Sequence, residues 1–273
     1  PFAVRRLLAG LGYQETINFS FVEERWENEL AGNPDPIRLL NPIASQMSVM
    51  RSSLLGSLVS VLKFNLDRRA DRVRLFELGR VFFKDASVVD SDTTVAGFHQ
   101  PMRVAGLAYG AADALQWGAP ERATDYFDIK GDVQALLAPY RPEFRVAEHP
   151  AMHPGRCASV WLHDRCIGHV GELQPRWRPA YELTQAPVLF ELALDAMLDR
   201  PVPAYQVVSR HQPVERDLAI VVKESVPFAA VLDAIRAPAS PWLREVVLFD
   251  VYRPKKQATQ DSMSPGALAA DEI

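Results

Sequence analysis

An α+β fold around a mainly antiparallel sheet is predicted for most of this 273-residue chain. Three observations predict it. Strand and helix patterns alternate irregularly and include a tight hairpin. One strand pattern is apolar on both faces, as a central sheet position requires. A proline-rich stretch then separates a short strand–helix–strand segment from the rest.

In chain order, Val4, Leu7, Leu8 and Leu11 fall at helical spacing and Gly12 stops the helix. A strand over residues 13–21 is expected next, with Tyr13, Glu15, Ile17, Phe19 and Phe21 on one face. "VEERWENELAG" predicts a short polar helix and "NPDP" a turn. "RSSLLGSLVSVLKFNLDRR" predicts a helix that buries Leu54, Leu55, Leu58, Val59, Leu62 and Leu66. "RVRLFELGRVFF" is the doubly apolar strand, and "MRVAGLAYG" adds another. "DYFDIKGDVQALLAPY" is an amphipathic helix: its "DIKGD" imitates a metal or nucleotide loop, but Phe127, Val133, Leu136 and Leu137 supply a buried stripe. "PVLFELALDAML" starts as a strand and ends in a helical turn. Residues 201–216 form the linker, followed by strand "RDLAIVV", helix "VPFAAVLDAIRA" and strand "LREVVLFDVY". Residues 257–273 are small and polar and are expected to be disordered.

Hydrophobic residues make up 48% of the sequence, enough for a sizeable core. A net charge of -4 argues against indiscriminate polyanion binding, while leaving room for a local basic face on RNA; no DNA partner is expected. Two cysteines make no disulfide framework and point to a reducing, cytoplasmic setting. No apolar run approaches the ~20 residues of a membrane span. The opening at Pro1, on the lip of a helix, reads as a fragment of a longer chain.

Residues 148–173 hold both cysteines and four of the six histidines. Alternation makes this stretch two strands joined at "HDRC", with Ala158, Val160, Leu162, Ile167 and His169 on one face and Cys157, Ser159, Trp161, His163 and Cys166 on the other. In that register the six residues from Cys157 to His163 span about 20 Å, too far for one zinc ion. A structural hairpin with no metal site is expected; a ligand-contacting loop at 149–156 and a Cys166–His163 nucleophile pair are the alternatives. Arg74, Glu77, Arg80 and Lys84 are either a polar site or a set of ion pairs. Lys63, Arg68, Arg69, Arg72 and Arg74 are either an RNA face or a solvated helix end.

Several stretches in order, "GYQETINFSFV", "NPIASQMSVMRSSLLGSLVSVLKFN" running into "RLFELGRVF", "YFDIKGDVQALL", "HPGRCASVWLHDRCIGHVGELQP", "PVERDLAIVV" and "LFDVYRPK", closely resemble the C-terminal half of β chains of the bacterial phenylalanyl-tRNA synthetase family. The resemblance implies a degenerate class II synthetase-like domain at 1–200, with an antiparallel sheet flanked by helices, and a partial ferredoxin-like anticodon-binding domain at 217–256. It also implies an α2β2 heterotetramer whose α subunit activates phenylalanine with ATP and Mg²⁺ and esterifies tRNA-Phe. This chain itself is expected to need no cofactor.

Two class II arginine clamps would have to lie in this domain for it to be active. "GRVFFKDA" puts Phe83 where the first would be. "VLFELALDAML" puts Glu191 and Ala193 at the glycines of a Gly-x-Gly-x-x-Arg pattern, and Ala196 at its arginine. The catalytic set carried over is therefore empty. Arg244, Arg253, Lys255 and Lys256, on the anticodon-like segment, are the expected tRNA contacts. The expected role is a structural, tRNA-docking part of the synthetase, inactive alone; the alternative is a stand-alone regulatory pseudoenzyme of the same fold.

Overall fold

The computed structural model describes residues 1–198, 202, 205 and 210–252. The chain divides into two units, Pro1–Pro203 and Ala204–Ile273.

The first unit opens with helix α1 (Phe2–Gly10), which buries Val4 and Leu8, and Gly12 turns the chain at φ +85°. Strand β1 (Gln14–Glu15) follows, then β2 (Phe21–Val22), so the single strand expected over 13–21 is broken. The physical reason is a change of partner. After Glu15 the chain leaves the sheet edge and crosses to pair with β3 (Val49–Met50), so that Ile17 and Phe19 face solvent despite their alternation. Helix α2 (Glu24–Trp26) continues as a π-helical turn through Ala31, closed by left-handed Gly32.

Helix α3 (Leu55–Leu66) buries Leu55, Leu58, Val59 and Leu62, as its spacing predicts. Strand β4 (Val73–Arg80), β5 (Phe83–Lys84), β6 (Phe98–His99) and β7 (Met102–Tyr109) come next. Helix α4 (Tyr126–Leu137) starts at a capping box: Asp125 accepts from the amides of Phe127 and Asp128, and Asp128 returns a bond to the Asp125 amide. "DIKGD" is thus the first turns of a helix. The chain ends this unit with β8 (Glu143–Val146), β9 (Met152–Leu162), β10 (Arg165–Leu173), α5 (Trp177–Ala180), β11 (Val188–Ala193) and α6 (Asp195–Leu198).

Seven strands form one sheet in the order β1-β4-β7-β11-β10-β9-β8, antiparallel except for the β1–β4 pair. Each face covers a core. Phe76, Val104, Phe190, Val170 and Val160 pack with Leu8 of α1 and Ile129, Val133 and Leu136 of α4. Leu75, Leu107, Leu189 and Cys157 pack on the other side with Leu58, Leu62 and Trp177. β4 is therefore covered on both faces, which is why its sequence does not alternate.

In the second unit, helix α7 (Phe228–Arg236) forms with a half-buried stripe at Val231, Leu232 and Ile235. The strands expected at 216–222 and 243–252 do not form among the described residues. A strand exists through its partner's hydrogen bonds, and Leu218, Ile220 and Phe249 stay exposed with no ladder beside them among the described residues. The expected disordered tail at 257–273 and seven of the sixteen residues of the expected linker lie outside the described residues.

Candidate functional site

One face of the sheet carries a polar row across its middle. Register places Glu77 of β4 beside Ala105 of β7, then Glu191 of β11, His169 of β10, Ser159 of β9 and Arg145 of β8. Directly opposed residues share a face, so these side chains lie on one side. That side also carries the start of α3.

The row begins with a buried ion pair. Arg51 Nη1 donates to Glu77 Oε1 at 2.7 Å, and both side chains are under 5% exposed. Arg51 also donates through Nε to the Arg80 carbonyl at 3.1 Å, and Asn18 Nδ2 donates to the second Glu77 oxygen at 2.8 Å. Each Glu77 oxygen thereby meets a donor, a condition for keeping such a pair out of water. Gly79 leaves the space: a Cβ there would stand 2.3 Å from Arg51 Nη2.

Two more carboxylates converge on the start of α3. Its N-cap, Leu54, has no side-chain acceptor to offer. Glu191 Oε1 instead accepts from the Leu54 amide at 2.6 Å and the Ser53 hydroxyl at 3.1 Å, while Arg103 approaches Oε2 at 3.3 Å. Glu27 accepts from the Ser52 amide at 2.9 Å, from the Ser52 hydroxyl and from Asn33. Anionic groups suit the unpaired N–H groups and positive dipole end of a helix. Burial raises the pKa of both carboxyls above the ordinary value, against the lowering effect of Arg103, Leu54 and Ser53 on Glu191 and of Ser52 and Asn33 on Glu27.

Further along the row His149 and His169 meet with ring centroids 5.0 Å apart and planes tilted by 47°. Burial, the neighbouring imidazole and Arg103 lower the His149 pKa to about 4; burial and Arg103 lower that of His169. His149 Nδ1 accepts from the Ala151 amide at 3.2 Å, which suits the neutral ring.

The structure corrects the face assigned to His169. Ile167 is an extra residue between the pairs Cys166–Trp161 and Gly168–Val160, and the bulge moves His169 opposite Ser159 rather than onto the face of Ala158 and Val160. Gly168 permits it, with φ +155° and a hypothetical Cβ only 2.0 Å from the Glu191 carbonyl oxygen. Cys157 is buried against Met152 and its thiol pKa is pushed up to about 11 by burial; Cys166 is exposed. Among the described residues no group of three or more His, Cys, Asp or Glu side chains is placed to hold a metal ion, and no helix is long and apolar enough to cross a membrane.

Phe83 is half-buried on β5, with the Arg103 guanidinium 5.9 Å from its ring, and Ala196 lies partly buried on α6 against the α1–α4 core. Glu191 fills the interior beside β11. Arg74, Glu77 and Lys84 separate into pairs with Asp132, Arg51 and Asp35, and Arg80 donates to the Gln100 carbonyl, so they form no common centre. Of the basic run, Lys63 pairs with Asp67 and Glu182, Arg68 covers Phe64 and Arg72 holds the Ala111 and Ala112 carbonyls. Arg244 is exposed in the second unit; Arg253, Lys255 and Lys256 lie outside the described residues. Sequence reading missed Arg51, Glu27, Ser53 and Arg103. The usable signs were a serine pair ahead of a helix with a leucine N-cap, and a glutamate inside an apolar strand.

The family model for the phenylalanyl tRNA synthetase beta chain CLM domain matches residues 2–194, and that for the ferredoxin-fold anticodon binding domain matches 209–267. The phenylalanine–tRNA ligase beta subunit of Cupriavidus pinatubonensis is 52% identical over 98% of this chain and 33% of its own length. The corresponding subunits of Ralstonia nicotianae and Chromobacterium violaceum are 53% and 51% identical, each over 92% of this chain and over 32% and 31% of their own lengths. The chain thus spans about a third of the curated relatives it matches. Among solved structures, PylSc of Desulfitobacterium hafniense, a pyrrolysyl tRNA synthetase, aligns with a TM-score of 0.49 at 12% identity over 72% of this chain and 65% of its own.

Removing one partner of the Arg51–Glu77 pair leaves a buried charge uncompensated. Glu77→Ala and Arg51→Ala are each expected to lose about 3–5 kcal/mol in urea denaturation, and the double variant less than their sum. Additive losses would show that the two groups do not depend on each other.

His149 gives a pH dependence of known sign. Its folded pKa, about 4, lies below the ordinary 6.5, so the unfolded chain takes up the proton first and stability falls as pH drops from 6.5 towards 4. Glu191 and Glu27, with raised pKa values, act in the opposite sense. His149→Gln is therefore expected to reduce the acid-side loss by up to ~1 kcal/mol per pH unit relative to the parent chain, measured as urea midpoints across that window. Parallel pH profiles for the two proteins would contradict the assignment.

Proposed function

The chain belongs to the phenylalanyl-tRNA synthetase beta chain family, and from that premise we propose that it is a non-catalytic scaffold and tRNA-docking part of the enzyme. In this reading residues 1–200 form the degenerate catalytic-like domain, 201–216 the linker and 217–256 the core of the anticodon-binding module. The first domain assembles with a catalytic α subunit in a cytoplasmic α2β2 enzyme that uses ATP and Mg²⁺ to charge tRNA-Phe. Arg244, Arg253, Lys255 and Lys256 are the proposed contacts to tRNA.

One observation carries the non-catalytic part. Glu191, on the strand where the resemblance requires bare glycine, turns a buried carboxylate inward and spends it on the N-terminus of α3. A triphosphate brought to that position meets a buried carboxyl group already committed to Leu54 and Ser53, and the two clamp positions offer it an aromatic ring at Phe83 and a methyl at Ala196. These residues do not fit a nucleotide and its magnesium ion. What they fit is a rigid sheet: Arg51, Ser53 and Leu54 tie α3 to β4 and β11 without any ligand.

The test is co-expression with the α-type chain from the same source. The two chains are expected to co-purify, and phenylalanine-dependent exchange of pyrophosphate into ATP to appear in the complex and not in this chain alone. Lys255→Ala with Lys256→Ala should weaken tRNA-Phe binding without disturbing assembly. Exchange by the isolated chain at ~1 s⁻¹ or faster, a typical enzymatic rate, would refute the scaffold reading, as would failure to assemble.

A further inference from the structure

The turn that joins β8 to β9, residues 147–151, is tied to several of its neighbours. Ala151 is buried, its carbonyl accepts from the Gln174 amide at 2.8 Å, and the His149 carbonyl accepts from the Met152 amide at 2.9 Å. Pro150 packs against Gly32, where a Cβ would stand 2.8 Å from the proline Cγ. The Pro150 carbonyl accepts from Arg176 Nη2 at 3.3 Å, and the same nitrogen donates to the Glu29 carbonyl at 2.8 Å. Arg176 thus straps the turn to the π-helical segment whose Glu27 caps α3.

One of these ties can ionise. The Ala151 amide donates to His149 Nδ1 at 3.2 Å, the same two-residue reach by which an Asn or Asp oxygen closes an Asx-turn. An imidazole nitrogen accepts only while it carries no proton, and in the imidazolium both nitrogens are donors. A proton on His149 therefore sets Nδ1–H against the Ala151 N–H, and the closed turn cannot hold it. The His169 ring of β10, 5.0 Å away, meets the same strip of charges. Arg103 of β7 is positive beside both rings. Glu191 of β11, opposite His169 in register, has its carboxyl committed to Leu54, Ser53 and Arg103. Arg145 of β8 is folded onto Glu143 and Trp161, Arg176 is held by carbonyls, and Glu148 is exposed. A proton on either ring adds positive charge beside Arg103, and the nearest carboxyl in register is already taken.

We propose that the His149–His169 pair is a proton-operated latch on this turn: residues 147–151 stay closed while both rings are neutral and open locally, with the sheet intact, when one of them takes up a proton. The β9–β10 pairs from Cys157 to Leu162 lie beyond the turn and do not use His149, so the sheet does not depend on the latch. Opening parts Pro150 from Gly32 and leaves Arg176 holding Glu29 alone. The sign follows from the closed turn binding the His149 proton more weakly than the open one. Opening is favoured as pH falls below 6.5, by up to about tenfold per pH unit, until the closed-state value of about 4 is reached.

The experiment is amide hydrogen exchange of the full chain followed by NMR from pH 7 to about pH 4.5, corrected for the intrinsic pH dependence of exchange. In the parent, protection at Ala151 and Met152 should fall by up to about tenfold per pH unit below 6.5, while β4 and β7 keep theirs. His149→Asn supplies an acceptor of the same reach that does not titrate, and its profile at Ala151 should be flat with the turn closed throughout. His169→Gln keeps the Ala151 bond and removes the second ring, and should flatten the profile in part. His149→Ala should leave Ala151 poorly protected already at pH 7. Protection at Ala151 that does not change with pH in the parent would overturn the latch. So would a His149→Asn profile as steep as the parent's, which would place the proton elsewhere. Loss of protection at Ala151 only together with β4 and β7 would show global unfolding and overturn it as well.

Discussion

The Arg51 guanidinium, buried against the Glu77 carboxylate at 2.7 Å, joins the segment leading into α3 to a strand in the interior of the sheet. Neither group tolerates burial alone, so the backbone around them is shaped to complete their hydrogen bonds. Asn18 leaves the path of β1 to reach Glu77, and position 79 carries no Cβ because one would meet the guanidinium. With Arg51 fixed, the next residues, Ser52, Ser53 and Leu54, present their donors to Glu27 and Glu191. Helix α3 is thereby capped from the sheet and from the π-helical turn rather than by its own sequence.

This arrangement gives the two sheet faces different physical characters. The face under α1 and α4 is an apolar core that larger or smaller side chains would perturb by volume. The opposite face is apolar under α3 and polar across its middle, where its stability depends on matched donors and acceptors. Such a network has few states and little freedom to rearrange around an incoming ligand. Rigidity of that kind suits the scaffold role proposed above.

What could be read from the sequence follows from how local each determinant is. α1, α3 and α4 were legible because their buried stripes are set within a few turns, and β4 because burial on both faces writes a continuous apolar run. The strand over 13–21 alternated correctly and still broke, because Ile17 and Phe19 belong to a crossover whose partner changes from β4 to β3. His169 went to the wrong face because one extra residue, Ile167, shifts the parity of everything after it. Positions 83, 191 and 196 stand out only against the motif that the resemblance implies. The network that fills the space was not legible, since Ser53 and Glu191 are separated by 138 positions and Arg51 and Glu77 by 26. In the second unit the strand patterns at 216–222 and 243–252 find no neighbouring strand among the described residues, which a local pattern does not encode.

The central proposal is that Glu191, committed to the start of α3, stands where a nucleotide would have to bind. Calorimetric titration of the isolated, folded chain with ATP and Mg²⁺ tests it most directly. The account predicts no saturable heat into the millimolar range. A dissociation constant in the micromolar range, about -8 kcal/mol of binding free energy, would contradict it.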